Sequence, residues 1–173
     1  MRRPRTNAAG TRERRRNRMI QLEKILFPTD LSRAAAEAQL YACALAEKFG
    51  AELHVLSVIQ DVALMSPDPN MPWLVPASNL EEVRQSIEQS LAGIPDPQWT
   101  PPRPVQRAIR IGVPFLEIIK YARECDVDLI VIGTHGRTGL AHVLLGSTAE
   151  KIVRKAPCPV LTVHPEGHQF VMP

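Results

Sequence analysis

The chain has 173 residues, of which 45% are hydrophobic and 23% charged, and it carries a formal net charge of +3. This length and composition fit one globular domain with appendages and exclude a fibrous or wholly disordered chain. No apolar run is long enough to span a bilayer, and no apolar segment follows the basic start, so we expect a cytoplasmic protein with no membrane contact.

The first eighteen residues differ from the remainder of the chain. They contain eight arginines and one glutamate, a net charge of +7, which leaves about −4 on all other residues. Because they show no apolar periodicity, we expect residues 1–22 to be a basic, disordered extension. Clustered arginines bind phosphate groups, so this segment is a candidate for nucleic-acid binding. A transit peptide fits poorly, because serine is absent. Translation from Met19 would remove most of this segment.

Strand-like and helix-like segments alternate from residue 23 onward. Residues 25–27 predict a first strand, followed by a turn at residues 28–30. Ser32 is placed to cap an alanine-rich helix that ends near Phe49, with Gly50 as its C-terminal stop.

The next segments continue this alternation. Residues 53–59 predict a second strand, and the prolines between residues 61 and 77 predict an irregular loop. Ser78 and Glu81 have the spacing of a capping box. The helix that follows has one apolar face, made of Leu80, Val83, Ile87 and Leu91.

The second half of the chain repeats the pattern after a proline-rich linker at 95–104. Residues 105–111 predict a strand with a wet face that carries Gln106 and Arg110. Pro114 starts a helix that directs inward Phe115, Ile118, Ile119 and Ala122. Residues 129–132 predict a strand covered on both faces, 147–155 a helix, and 160–163 a last strand.

This alternation predicts an α/β fold, an open, doubly wound, five-stranded parallel sheet with helices on both faces. We expect a Rossmann-like strand order of 3-2-1-4-5 over residues 23–164, followed by a short tail at 165–173. Such sheets bind ligands at the carboxyl ends of their strands, where the strand order reverses. The turn at 28–30 and the loop at 133–147 both follow a strand, so we expect them to meet there.

The loop at residues 133–148, GTHGRTGLAHVLLGST, contains four of the nine glycines. Glycine allows a backbone to turn sharply and to approach a ligand closely. A helix that opens after such a turn offers free N–H groups and a positive dipole end to an anion. The stretch therefore predicts a phosphate cradle. The chain lacks the Walker pattern and the Gly-x-Gly-x-x-Gly fingerprint, which disfavours a P-loop NTPase and a dinucleotide dehydrogenase.

Three separated motifs together resemble the universal stress protein family. They are ILFPTDLS at residues 25–32, the glycine pattern from Gly133 to Thr148, and PCPVLTV at residues 157–163, and the resemblance covers residues 23–164. It implies ATP binding, with Mg²⁺ accompanying the nucleotide, in a protein that serves stress response or regulation. It also implies a homodimer, because the family commonly pairs through its last strand, here Val160, Leu161, Thr162 and Val163. A β-prone edge strand favours the same pairing on physical grounds.

The resemblance also assigns roles to individual residues. Asp30 would hold the ribose or the adenine edge, within the turn that contains Pro28 and Thr29, and Val58 would lie against adenine. The turn around the ribose and phosphates would comprise Ile132, Gly133, His135 and Gly136, with Arg137 placed to counter phosphate charge. Hydrogen bonds to the phosphates would come from Gly146, Ser147 and Thr148.

Each assignment has a structural alternative. Asp30 fits a turn, Gly133 and Gly136 fit tight bends, Ser147 fits a plain N-cap, and His135 and Arg137 fit solvated loop residues. The histidines and the three separated cysteines show no triad or metal spacing, so we expect reduced thiols and no catalytic centre.

No carboxylate or lysine stands inside the loop at 133–147 to promote hydrolysis, so we expect an ATP-binding protein rather than an enzyme. Weak ATP hydrolysis through His135 and a nucleotide-free interaction protein remain the competing classes.

Overall fold

The computed structural model describes residues 20–60, 80–134 and 145–164, and these contain an alternating series of strands and helices. The strands are β1 (Lys24–Pro28), β2 (Glu52–Gln60), β3 (Gln106–Gly112), β4 (Leu129–Gly133) and β5 (Val160–Val163). The helices are α1 (Arg33–Phe49), α2 (Leu80–Ala92), α3 (Pro114–Glu124) and α4 (Ser147–Lys155). None of these helices is long and apolar enough to cross a membrane.

The strands form one parallel sheet in the order β3-β2-β1-β4-β5, which confirms the predicted fold class and strand order. β1 lies at the centre, where Leu26 is in register with His54 of β2 and with Ile130 of β4. The strand order therefore reverses between β1 and β4. At such a point the two connecting helices leave toward opposite faces and open a crevice at the carboxyl ends of the strands.

Two hydrophobic layers enclose the sheet, because alternate residues of a strand point to opposite faces. The α1–α2 face is built around Phe27, Leu53 and Val131, with the small residues of α1 packed onto them. The α3–α4 face is built around Leu26, Ile130 and Ile152. The central strands are buried on both sides, as expected for the apolar runs of a parallel sheet.

The ends of α1 follow directly from its sequence. The Ser32 hydroxyl accepts a hydrogen bond from the Ala35 amide at 3.3 Å, as an N-cap should. Gly50 closes the helix with φ +63°, in the left-handed region that glycine enters without steric cost. Both predicted caps are confirmed.

Two predicted burial assignments are wrong. Val83 of α2 is exposed, and only Leu91 of the predicted apolar face is fully buried, because α2 approaches the sheet through its C-terminal end. In β3, Ile111 is exposed, whereas Arg110 is half-buried beside Tyr121 of α3. β3 is an edge strand, so its side chains are covered less than those of the central strands.

Candidate functional site

The turn after β1 is fixed by its own short polar side chains. The Thr29 amide donates to the Leu56 carbonyl at 2.9 Å, while the Thr29 hydroxyl accepts from the Leu31 amide at 3.0 Å. The Asp30 Oδ1 atom accepts from the Ser32 amide at 3.0 Å. Leu31 has φ +65°, a conformation that costs a branched residue energy and is held here by these bonds. Asp30 is therefore a turn-forming residue, as its structural alternative stated, and its half-buried carboxylate has a fixed position.

The first turn of α4 begins with backbone donors that are not bonded within the helix. Gly146 occupies the N-cap position with φ −63° and ψ 151°, and the Glu150 amide donates to its carbonyl at 2.9 Å. The amides of Ser147, Thr148 and Ala149 precede that first intrahelical bond and so have no acceptor within the helix. The alternative in which Ser147 is the N-cap is wrong, because Ser147 is the first helical residue.

A short hydrogen-bonded bridge holds the two ends of the glycine-rich loop together. The Gly146 amide donates to the Thr134 carbonyl at 2.7 Å, and the Thr134 amide donates to the Val163 carbonyl at 2.9 Å. Gly133 ends β4 opposite Val163 of β5. The start of α4 is thereby anchored at the carboxyl ends of β4 and β5.

Val58 and Ile132 lie together on the α3–α4 face. Ile132 is buried in that hydrophobic layer, and the half-buried Val58 packs against the same layer from β2. Pro28 is the last residue of β1 and is buried. These three residues form an apolar floor at the carboxyl end of the sheet. The assignments of His135, Gly136 and Arg137 lie outside the described residues.

Sequence reasoning missed one polar pair next to this loop. The hydroxyl of Thr134, which is 1% exposed, lies 3.1 Å from the Nδ1 atom of His164. The pair joins the residues that follow β4 and β5. Thr134 stands within the glycine motif, but the only sequence signal for its partner was a histidine directly after the last strand.

A shallow cavity of about 270 Å³ opens on the α1–α2 side of the same region. Of the predicted site residues it contains Thr29, and its other walls are Leu31, Ser32, Ala36, Gln39, Ser90 and Ile94. Within the described part of the chain, no group of three or more His, Cys, Asp or Glu side chains is arranged to hold a metal ion. The described residues at this end of the sheet thus supply backbone donors, short hydroxyls and the Asp30 carboxylate.

A doubly wound parallel sheet whose strand order reverses between β1 and β4 defines a Rossmann-like α/β protein. The sequence profile of the universal stress protein family matches residues 21–164. The chain therefore belongs to the universal stress protein family.

Individual relatives agree with this assignment. Universal stress protein MJ0531 of Methanocaldococcus jannaschii is 34% identical over 145 residues, covering 82% of this chain and 81% of the relative. The solved structure of MJ0577, from the same organism, superposes with a TM-score of 0.67 at 30% identity, covering 86% of this chain and 100% of that chain.

Two solved universal stress proteins with lower similarity share the fold. One is a complex with cAMP, at 22% identity and a TM-score of 0.53, covering 84% of this chain and 98% of that chain. The other, from Archaeoglobus fulgidus, is a complex with dAMP, at 20% identity and a TM-score of 0.51, covering 83% of this chain and 98% of that chain.

Proposed function

We propose that this protein binds ATP, together with Mg²⁺, in the crevice between the carboxyl ends of β1 and β4. The observation that carries the proposal is the start of α4, where a glycine N-cap leaves the first-turn amides of Ser147 and Thr148 without intrahelical acceptors. No side chain at the N-cap position competes for these donors. Family membership adds to this, because proteins of the same fold hold adenine nucleotides.

The phosphates would lie against the start of α4. Each contact of an anion with a helix N-terminus contributes about 0.3–1 kcal/mol when exposed and about 2 kcal/mol when partly buried. Several such contacts, with the Ser147 and Thr148 hydroxyls as additional donors, approach the roughly −8 kcal/mol of micromolar affinity. The same hydroxyl oxygens suit Mg²⁺, which accepts oxygen ligands and takes most of them from phosphates and water.

The ribose would lie toward Asp30, across the crevice from the phosphates. A carboxylate accepts hydrogen bonds from ribose hydroxyls, and placing it away from the phosphates avoids repulsion between like charges. The Ser32 amide already holds Oδ1 in place, so binding orders little further side-chain motion. The apolar floor of Pro28, Val58 and Ile132 would face the nucleoside.

We further propose a binding protein rather than a hydrolase. Among the described residues at the crevice, 28–31, 132–134 and 145–149, Asp30 is the one carboxylate, and no lysine or arginine occurs to stabilise charge on a transferring phosphoryl group. An ATPase assay tests the competing enzymatic function. Turnover above a few ATP per minute that His135→Ala abolishes would establish hydrolysis instead.

Equilibrium binding of labelled ATP to the wild type and to Asp30→Asn tests the proposal. Asparagine can keep the bond from the Ser32 amide but loses the charge, so we expect about tenfold weaker binding. Asp96→Asn is a matched control, because the Asp96 Oδ1 atom accepts from the Gln98 amide at 2.8 Å in the same kind of turn, in the segment before β3. Absence of ATP binding by the wild type would reject the site and favour a nucleotide-free interaction protein.

A homodimer through β5 completes the proposal. The Ile130 amide donates to the Pro159 carbonyl and the Thr134 amide donates to the Val163 carbonyl, so odd-numbered residues of this segment face β4. Backbone groups alternate in direction along a strand, and those of Val160 and Thr162 therefore point to the outer edge of the sheet. A second copy of this edge would satisfy them by two-fold symmetry.

A further inference from the structure

A buried histidine connects β2 to α3 toward the amino end of the sheet, away from the crevice. His54 is 5% exposed, and its Nδ1 atom lies 2.9 Å from the hydroxyl oxygen of Tyr121. The two rings meet edge to face, with centroids 5.7 Å apart. Because these residues are 67 positions apart in sequence, the contact is a tertiary connection between a strand and the C-terminal half of α3.

The other nitrogen of this imidazole is incompletely paired. Nε2 of His54 is buried and has no hydrogen-bond partner, and the Oε1 atom of Glu52 lies 3.5 Å away. That separation exceeds the 2.7–3.2 Å of an ordinary N–H···O bond. Neutral His54 thus has one good hydrogen bond, whereas a protonated imidazole would need a close acceptor at both nitrogens.

The charges around His54 come from every neighbouring element. Burial has the largest effect and lowers the pKa of His54 below its usual value. The Glu52 carboxylate on β2 raises this pKa, whereas the Lys24 ammonium on β1 lowers it further. On β3, the Arg110 guanidinium lies 5.6 Å from the Tyr121 ring centre. Its charge is balanced by Glu124 of α3 at 2.8 Å.

The phenol of Tyr121 cannot compensate a charge on His54. Burial, followed by the nearby Cys125 thiol, raises the pKa of Tyr121 to about 12, so the phenol stays neutral at physiological pH. The Lys24 ammonium donates to the Cys125 carbonyl at 2.8 Å, which keeps that cation close to the cluster. With α3 packed against β2, these surroundings therefore favour a neutral imidazole at His54.

We propose that His54 is a proton-operated latch, which holds α3 against β2 when neutral and releases the C-terminal half of α3 when it takes up a proton. The sign follows from linkage. His54 has a lower pKa when packed than when exposed, so the stabilising contact is complete above the ordinary histidine pKa of about 6.5. It weakens as the pH falls from there toward the pKa of the packed state. Proton uptake is then coupled to opening of α3, which returns the imidazole to water.

Hydrogen exchange and NMR titration of the full chain test this latch. We expect His54 to titrate below 6.5. The exchange rate of the amides at residues 118–125, after correction for the pH dependence of intrinsic exchange, should rise as the pH falls from 7.5 to 5.5. Because one proton is taken up, this rise should approach at most roughly tenfold per pH unit. Exchange in α4 should not show this rise. Titration of His54 at or above 6.5, or an equal acid response in α4, would overturn the proposal.

Two variants separate the latch from a merely structural contact. His54→Gln keeps a polar side chain that does not titrate, so exchange in α3 should lose its acid dependence, and retention of that dependence would reject the latch. Glu52→Gln removes the carboxylate that favours the imidazolium and should shift the His54 titration to still lower pH. If His54→Gln does not fold, the wild-type titration and its shift in Glu52→Gln decide the question.

Discussion

Replacing glycine at position 146 tests whether the cradle or the turn requires it. Gly146 has φ −63° and ψ 151°, a conformation open to any L-residue. Gly50 has φ +63°, and a Cβ added there meets no atom within 4 Å, so only its backbone conformation resists substitution. Both glycines flank helices, but only Gly50 has a backbone conformation that requires glycine.

We expect Gly146→Val to leave stability within about 1 kcal/mol of the wild type. Valine is a poorer N-cap than glycine, but it reduces the conformational freedom of the unfolded chain by a comparable amount, about 0.4–1 kcal/mol. Gly50→Ala should cost about 1–2 kcal/mol, because a Cβ strains the left-handed conformation. For a chain of this size, each 1 kcal/mol corresponds to roughly 2–4 °C in Tm.

For ATP affinity we expect the opposite order, with the larger effect from Gly146→Val. The valine side chain would stand beside the first-turn amides of α4, so ATP affinity should fall more than tenfold, or at least about 1.4 kcal/mol. Gly50→Ala should bind ATP like the wild type. Urea denaturation and equilibrium binding on the same preparations measure both quantities. If Gly146→Val binds ATP normally, ATP binding does not require glycine at this position and the phosphate cradle is wrong.

Three other predictions follow from the same structure. Ile152→Ala empties a fully buried position and should cost about 2–5 kcal/mol in urea denaturation, whereas Val153→Ala, at a 48% exposed neighbour, should cost under about 1 kcal/mol. Thr162→Pro removes an outward-facing backbone donor at the edge of β5 and should give a monomer in light scattering. The control Thr162→Val keeps this donor and should remain dimeric. A wild-type monomer at micromolar concentration would refute the dimer. Burial raises the pKa of the Cys43 thiol to about 11, so about one in a thousand should be thiolate at pH 8, and iodoacetamide should label it rapidly only after unfolding. Rapid labelling of the native protein at Cys43 would contradict this burial.

Much of the fold is readable from local signals in the sequence. Ser32 and Gly50 mark the ends of α1 because capping depends on residues within one turn of the helix end. Apolar runs locate β1 and β4 because central parallel strands are covered on both faces. The order of the strands then follows from the handedness of the crossover connections and the Rossmann-like pattern.

Contacts between distant residues were not predictable in this way. Nothing near His54 in sequence identifies Tyr121 as its partner, and the exposure of Val83 depends on how α2 docks. At the candidate site, the sequence predicted the start of α4 at Ser147, but the structural alternative that made Ser147 the N-cap was one residue late. The actual N-cap, Gly146, is set by its amide bond to the Thr134 carbonyl across the loop, which no local pattern specifies.

Contacts at the amino end of the sheet stabilise the fold, whereas the proposed ATP site lies at the carboxyl end, so substitutions at the two ends should affect different quantities. At the amino end, the Asp128 Oδ2 atom accepts from the Glu23 and Lys24 amides at 2.8 and 2.9 Å and so ties β4 to the start of β1. Asp128→Ala leaves these amides without that acceptor and should cost about 1–3 kcal/mol of stability.

Because the five residues of β1 span roughly 17 Å, Asp128 and Asp30 are too far apart to couple directly. The ATP dissociation constant of folded Asp128→Ala should therefore equal that of the wild type. In the double variant with Asp30→Asn, the changes in unfolding free energy should add to within about 0.5 kcal/mol. A large coupling between the two positions would mean that the crevice is held open by the amino-end contacts, and the assignment of binding to the carboxyl-end loops alone would fail.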